Sequence, residues 1–154
     1  MAKRRSALTK TKQMPEVVAA LLCERVLEER DKTLSLIRII DKVTLTVGRG
    51  NVLTGPDRLA FPFDVEFVVV VVLRARKGLE GSHDLHAALI SPSGQKYMRA
   101  GIRLTFPTAD ALSNNIVQTR IKTTELGKYR VEVSFSGQQI ATIPLEIVLE
   151  QSPL

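Results

Sequence analysis

The sequence predicts an all-β domain, an antiparallel β-sandwich of two sheets and about eight strands. Three features carry that prediction. Phe67-Val68-Val69-Val70-Val71-Val72-Leu73 is an unbroken apolar run dominated by valine; β-branched side chains favour strand over helix, and the run is far shorter than the roughly 20 apolar residues of a membrane helix. Tyr129, Val131, Val133 and Phe135 alternate with Arg130, Glu132 and Ser134, the period of a half-buried strand. Clusters rich in Gly, Pro, Ser and Asp punctuate the apolar segments along the whole chain.

Taken in order, residues 16–30 follow Pro15 as an apolar stretch that reads either as helix, with Leu22, Val26 and Glu29 on one side, or as the first arm of a hairpin turning at Asp31-Lys32-Thr33. The second arm is residues 34–47, where Val43, Leu45 and Val47 alternate with threonines. Continued backwards, that phase places Ile37, Ile39 and Asp41 on the inner face, with Arg25 or Arg38 as counter-ion for Asp41. Gly48-Arg49-Gly50-Asn51 ends the arm, and a loop through Gly55-Pro56-Asp57 leads to the valine strand. Val68, Val70 and Val72 face one way; Phe67, Val69, Val71 and Leu73 face the other. Both faces are apolar, whereas an antiparallel strand ordinarily wets one of them. One set therefore belongs to the core, and the other must meet a partner chain or an element crossing outside the sheet.

Leu85, Ala87 and Leu89 share one face of the next strand. Ser91-Pro92-Ser93-Gly94 is a turn, and residues 97–106 return until Pro107. A short strand covers residues 116–122. Ser136-Gly137 then turns the Tyr129–Phe135 strand into the last one, lined by Ala141, Ile143, Leu145, Ile147 and Leu149. Pro144 marks that strand as an edge or as bulged, since proline cannot donate to the ladder.

A chain of 154 residues is about one domain, large enough to bury a core without metals or disulfides. The organisation expected is a basic tail over residues 1–14, one sandwich over 15–150 and a short tail over 151–154. The net charge is +6, and Lys3, Arg4, Arg5, Lys10 and Lys12 supply most of it. Removing those five from 22 basic residues leaves 17 against 16 acidic ones, so the body is nearly neutral and the tail is what an anionic surface would attract. The single cysteine, Cys23, excludes an internal disulfide and fits a reducing compartment. Val17-Val18-Ala19-Ala20-Leu21-Leu22 imitates a secretion signal, but Leu22 is too large for a cleavage site and Glu24-Arg25 follows. The expected location is cytoplasmic, without membrane contact.

The segments Cys23-Glu24-Arg25-Val26-Leu27, Asp31-Lys32-Thr33 and Leu34-Ser35-Leu36-Ile37-Arg38-Ile39-Ile40-Asp41-Lys42-Val43 resemble an uncharacterised family of small bacterial β-sandwich proteins. Leu126-Gly127-Lys128-Tyr129-Arg130-Val131-Glu132-Val133, Gly137 and Pro144-Leu145 resemble it too, so the likeness covers most of residues 16–149. It implies a bacterial origin and a shared fold, and no reaction. Gly127-Lys128-Tyr129 also resembles the tyrosine corner of immunoglobulin-like sandwiches, whose phenol bonds nearby backbone; the paired cysteines and core tryptophan of antibody domains are missing.

The chemistry-bearing residues fail as sites on geometry. Cys23 would need a base, and Arg25, two residues along a strand, is not one. His83 and His86 fall on opposite strand faces, leaving Asp84 and His86 as two ligands where zinc wants about four. Ser93-Gly94-Gln95-Lys96 has a Ser-x-x-Lys spacing that needs a helical turn, yet it sits in a hairpin. Gly48-Arg49-Gly50 has no helix after it to offer N-terminal amides to a phosphate. We therefore expect no enzyme, metal or cofactor. The expected role is a protein-contact or structural module that associates with itself or within an assembly through Val68, Val70 and Val72. The alternatives are a polyanion or nucleic-acid binder acting through Lys3, Arg4, Arg5, Lys10 and Lys12, and an enzyme of unrecognised type.

Overall fold

In a computed structural model of the chain, the structure describes residues 13–48, 50 and 52–152. They form ten strands and no helix: β1 (Glu16–Glu28), β2 (Leu34–Ile40), β3 (Lys42–Val47), β4 (Leu53–Gly55), β5 (Arg58–Arg74), β6 (Gly81–Ile90), β7 (Lys96–Phe106), β8 (Leu112–Glu125), β9 (Gly127–Phe135) and β10 (Gln138–Gln151). The first sheet holds β2, β1, β5, β4 and β8; the second runs β3-β10-β9-β6-β7. Their inner faces make one core. Leu22, Val65, Phe67, Val69, Val71, Leu73 and Ile121 come from the first sheet, and Leu85, Leu89, Phe106, Tyr129, Val131, Val133, Leu145 and Ile147 from the second. This is the two-layer solution by which each sheet buries its apolar face.

Residues 16–28 are strand, not helix. β1 pairs antiparallel with both β2 and β5, and the Glu29 N–H bonds the Thr33 carbonyl at 2.8 Å across the predicted turn. Tyr129, Val131, Val133 and Phe135 are buried, Arg130 is exposed, and Glu132 and Ser134 are half-buried, so the register of β9 is as read. Pro144 sits in a strand with neighbours on both sides, yet the β3 ladder begins only at Glu146↔Lys42. The β3-facing edge at Pro144 is therefore free, and its missing donor goes unneeded. A bulge between Gln139 and Ala141 lies just upstream.

The two strands beyond the expected eight arise separately. Residues 34–47 are not one strand. The chain changes sheets at Asp41, giving β2 in the first sheet and β3 in the second, where β3 runs parallel to β10. The crossing breaks the period-two phase, so Ile37 and Ile39 are not inner. They are exposed, Ile39 to 64%. Asp41 is exposed as well, its carbonyl accepting the Glu146 N–H at 2.8 Å, and Arg38 pairs instead with Glu24 at 3.5 Å. The other added strand is β4, a three-residue piece inside the expected loop. At the ends, Met14 packs against the core, Pro15 is buried and β10 reaches Gln151. The folded unit thus runs slightly past both expected boundaries.

Candidate interaction surface

The valine strand divides as its alternation requires. Phe67, Val69, Val71 and Leu73 enter the main core. Val68 and Val70 form a second, smaller cluster with Cys23 on the outer face of the first sheet. The expectation that Val68 and Val70 meet a partner is corrected here: Val70 is 0% and Val68 7% exposed within one chain. The cover comes from the β1–β2 hairpin. The β1–β5 ladder ends at Cys23↔Val68, and beyond it the hairpin brings Val26, Leu34 and Leu36 against the cluster. Burying these side chains contributes on the order of 4–6 kcal/mol before ordering costs.

The rest of that face is not closed. Val72, the third expected contact residue, is half-buried. By register it stands between Ala19 and Asn114, one pleat from Val70, which lies between Leu21 and Ile116. In the next row Arg74 pairs with Leu112, and Val18 sits at the bulge between Val17 and Ala19. Val18 is 46% and Leu112 56% exposed. A strip carrying Val18, Val72 and Leu112 thus continues from the closed cluster to the sheet's end, with Asn114 and Arg74 between Val72 and Leu112. The valine run pointed to this face; Leu112, flanked by polar residues, carried no periodic signal.

The tyrosine corner is present. The Tyr129 O–H donates to the Glu125 carbonyl at 2.7 Å, and the Thr123 hydroxyl lies 2.8 Å from the Tyr129 oxygen. The Glu125 carboxylate is 6% exposed and accepts the Ser93 N–H at 2.7 Å and the Ser93 O–H at 3.0 Å. It ties the β6–β7 turn to the β8–β9 corner. Gly127 makes the corner at φ 122°, with a Pro92 carbon 3.2 Å from where a Cβ would stand. Burial pushes the Tyr129 phenol up to about 12. The sequence signalled the tyrosine but not Glu125 or Thr123, because the Glu125 partner Ser93 lies in a turn some thirty residues away and the second Thr123 partner, the Tyr97 phenol at 3.2 Å, comes from the other sheet.

The remaining candidates are dispersed. Cys23 is buried in the outer-face cluster and its thiol is pushed up by that burial, the opposite of what a nucleophile needs. The Ser93 hydroxyl is spent on Glu125, while Lys96 is exposed at the start of β7. His83 is half-buried near the start of β6. Its ring packs 4.9 Å from that of Phe135, and its Nε2 lies 2.7 Å from the Leu79 carbonyl, so that nitrogen carries the proton. Asp84 and His86 are exposed, and among the described residues no three His, Cys, Asp or Glu side chains converge to hold a metal ion. Arg49 of the Gly-Arg-Gly turn lies outside the described residues, as do Lys3, Arg4, Arg5, Lys10 and Lys12. Among the described residues no helix is long and apolar enough to cross a membrane.

Between β1 and β5 the first sheet parts. Glu24, Arg25 and Glu66 stand at the parting and line two cavities, of about 530 and 570 Å³.

The fold and these surfaces define a two-sheet β-sandwich with an apolar outer strip and a split sheet. The chain belongs to a family of unknown function (DUF6941), whose model matches residues 18–148. No curated protein matches the chain. Among solved structures it is similar to the Pseudomonas fluorescens alkylpurine DNA glycosylase AlkC bound to DNA containing an abasic site analog, at 10% identity and a TM-score of 0.43, over 84% of this chain and 30% of that one. The chain therefore spans less than a third of that protein's length.

Proposed function

We propose that this chain is a non-enzymatic protein-contact module that associates with itself through the outer face of its first sheet. The observation that carries the reading is the strip of Val18, Val72 and Leu112, left open beside a cluster that is otherwise sealed. Exposed apolar side chains gathered at one end of a sheet face are the kind of surface that interfaces use. A two-fold contact would set the strip against itself. Light scattering on the purified chain tests it. The wild type should assemble, and Leu112→Lys should weaken assembly at least tenfold, a cost of about 1.4 kcal/mol, with no change in melting temperature because Leu112 is largely in solvent. A wild type that stays monomeric at high concentration overturns the reading.

A second reading rests on the basic residues 3–12. Five cations releasing counterions from duplex DNA would give a log–log salt slope of about −4.5. Deleting residues 1–12, which spares the core-packed Met14, should abolish binding to labelled duplex. Unchanged affinity and slope in the deletion would reject the tail as the site.

A further inference from the structure

β5 has an open edge in the interior of its own sheet. One edge is taken by β8, from Phe63↔Thr123 to Arg74↔Leu112, with Arg58↔Glu125 before it. The opposite edge is shared. β4 pairs at Leu53↔Leu59 and Gly55↔Arg58, and β1 pairs from Cys23↔Val68 to Glu16↔Arg74. The Ala60 N–H also reaches the Val52 carbonyl at 2.7 Å. Among the described residues, 61–67 have no strand on that side, an edge of about 23 Å at strand rise.

β1 behaves likewise. Past Cys23 it keeps β2 as a neighbour, with Arg25↔Ile37 and Val26↔Leu36, and among the described residues has none on the side that faced β5. The parting is therefore walled by two strand edges and opens into a cavity on each side, both lined by Glu24, Arg25 and Glu66. Main-chain N–H and C=O groups along such an edge call for partners. Pro62 has no N–H, which places the pairing capacity of β5 on residues 63–67.

We propose that this split receives an extended, acidic peptide segment of another protein as an added strand on β5. Main-chain bonds to the open edge give such binding its affinity, and side chains on the walls give it selectivity. Charge fixes the kind of segment. The Arg120 guanidinium is held by Asp64 at 3.2 Å and Glu66 at 3.3 Å, and Arg38 by Glu24 at 3.5 Å. Those three carboxylates are already paired. Arg25 and Lys42, which line the split, have no ion-pair partner among the described residues. An incoming strand that presents Asp or Glu beside them is favoured, and a basic one is repelled.

The site is separate from the self-association strip, and the experiment is arranged to keep the two apart. The full chain carrying Leu112→Lys is panned against a phage-displayed library of random ten-residue peptides. Recovered peptides are then titrated while backbone amide exchange is followed by NMR. The expected result is peptides rich in Asp and Glu, binding one per chain and slowing exchange at alternate amides within residues 63–67 by at least tenfold. Arg25→Glu and, separately, Lys42→Glu should each weaken binding at least tenfold, with unchanged melting temperatures, since both residues are exposed. The proposal is overturned if no peptide is recovered, if bound peptides leave those amides unprotected, or if the charge reversals do not weaken binding. It is also overturned if those amides are already protected in the free chain, which would mean that a second copy or the chain itself fills the edge. A wild type that proves monomeric removes self-association and leaves the peptide result standing.

Discussion

Val70→Lys should unfold the protein as thoroughly as Val71→Lys, although the two side chains point to opposite faces of β5. Val71 lies in the main core and Val70 in the outer cluster with Cys23. Were the outer face an open contact surface, Val70→Lys would leave a folded chain that merely failed to assemble. Val70 is instead sealed between Leu21 and Ile116 by register and beneath the hairpin residues Val26, Leu34 and Leu36. An ammonium there has no carboxylate partner and no route to water. Burying an unpaired charge costs several kcal/mol even after relaxation, against a total stability of about 5–15 kcal/mol. Circular dichroism and urea titration should show both variants unfolded or nearly so. The graded control is truncation. Val70→Ala should cost about 2 kcal/mol from lost methyl groups and the cavity left behind, and Val72→Ala, half-buried, clearly less. A folded, stable Val70→Lys would mean that the hairpin does not seal the face.

That comparison also shows which parts of the fold were legible. Alternation in β9 and the two-faced character of β5 are local properties of the chain. A strand's side chains alternate whatever surrounds them, so Tyr129 to Phe135 and the division of the valines could be read directly. What covers the second valine face could not. It depends on where the β1–β5 ladder stops, and hence on the relative lengths of β1 and β5 and the path of the hairpin beyond Cys23. Asp41 failed for a related reason. A change of sheet needs only one residue between β2 and β3, and Lys-Val-Thr-Leu-Thr-Val continues so regularly after it that one uninterrupted strand was the simpler reading. The split between β1 and β5 leaves no trace in sequence, because an absent pairing has no motif. The corner glycine and tyrosine were legible as chemistry. Their partner Glu125 was not, since a glutamate at a strand end ordinarily faces water.

Tyr129→Phe should lower the melting temperature by about 5–10 °C at neutral pH, and this loss should shrink as the pH rises. The phenol donates to the Glu125 carbonyl and meets the Thr123 hydroxyl in a buried site. Removing its oxygen leaves that carbonyl short of a partner in a place water does not reach, while the Thr123 hydroxyl keeps the Tyr97 phenol and the Glu125 N–H. The cost of such an orphaned group exceeds that of the hydrogen bond alone, about 2–3 kcal/mol in all. The pH dependence follows from the phenol's position. Burial holds it protonated up to about 12 in the folded chain, whereas in the unfolded chain it ionises near its ordinary value of roughly 10. Its contribution is therefore fully present below roughly pH 10 and lost as pH climbs through the folded value. The phenylalanine variant has no such group, and every other titration is common to both proteins. Thermal melts of the pair at pH 8, 10 and 11.5 should show a gap that is constant over the first interval and narrows over the second. A gap that stays fixed to the highest pH would mean that the phenol at the corner is not held neutral by burial, and that its oxygen contributes through packing alone.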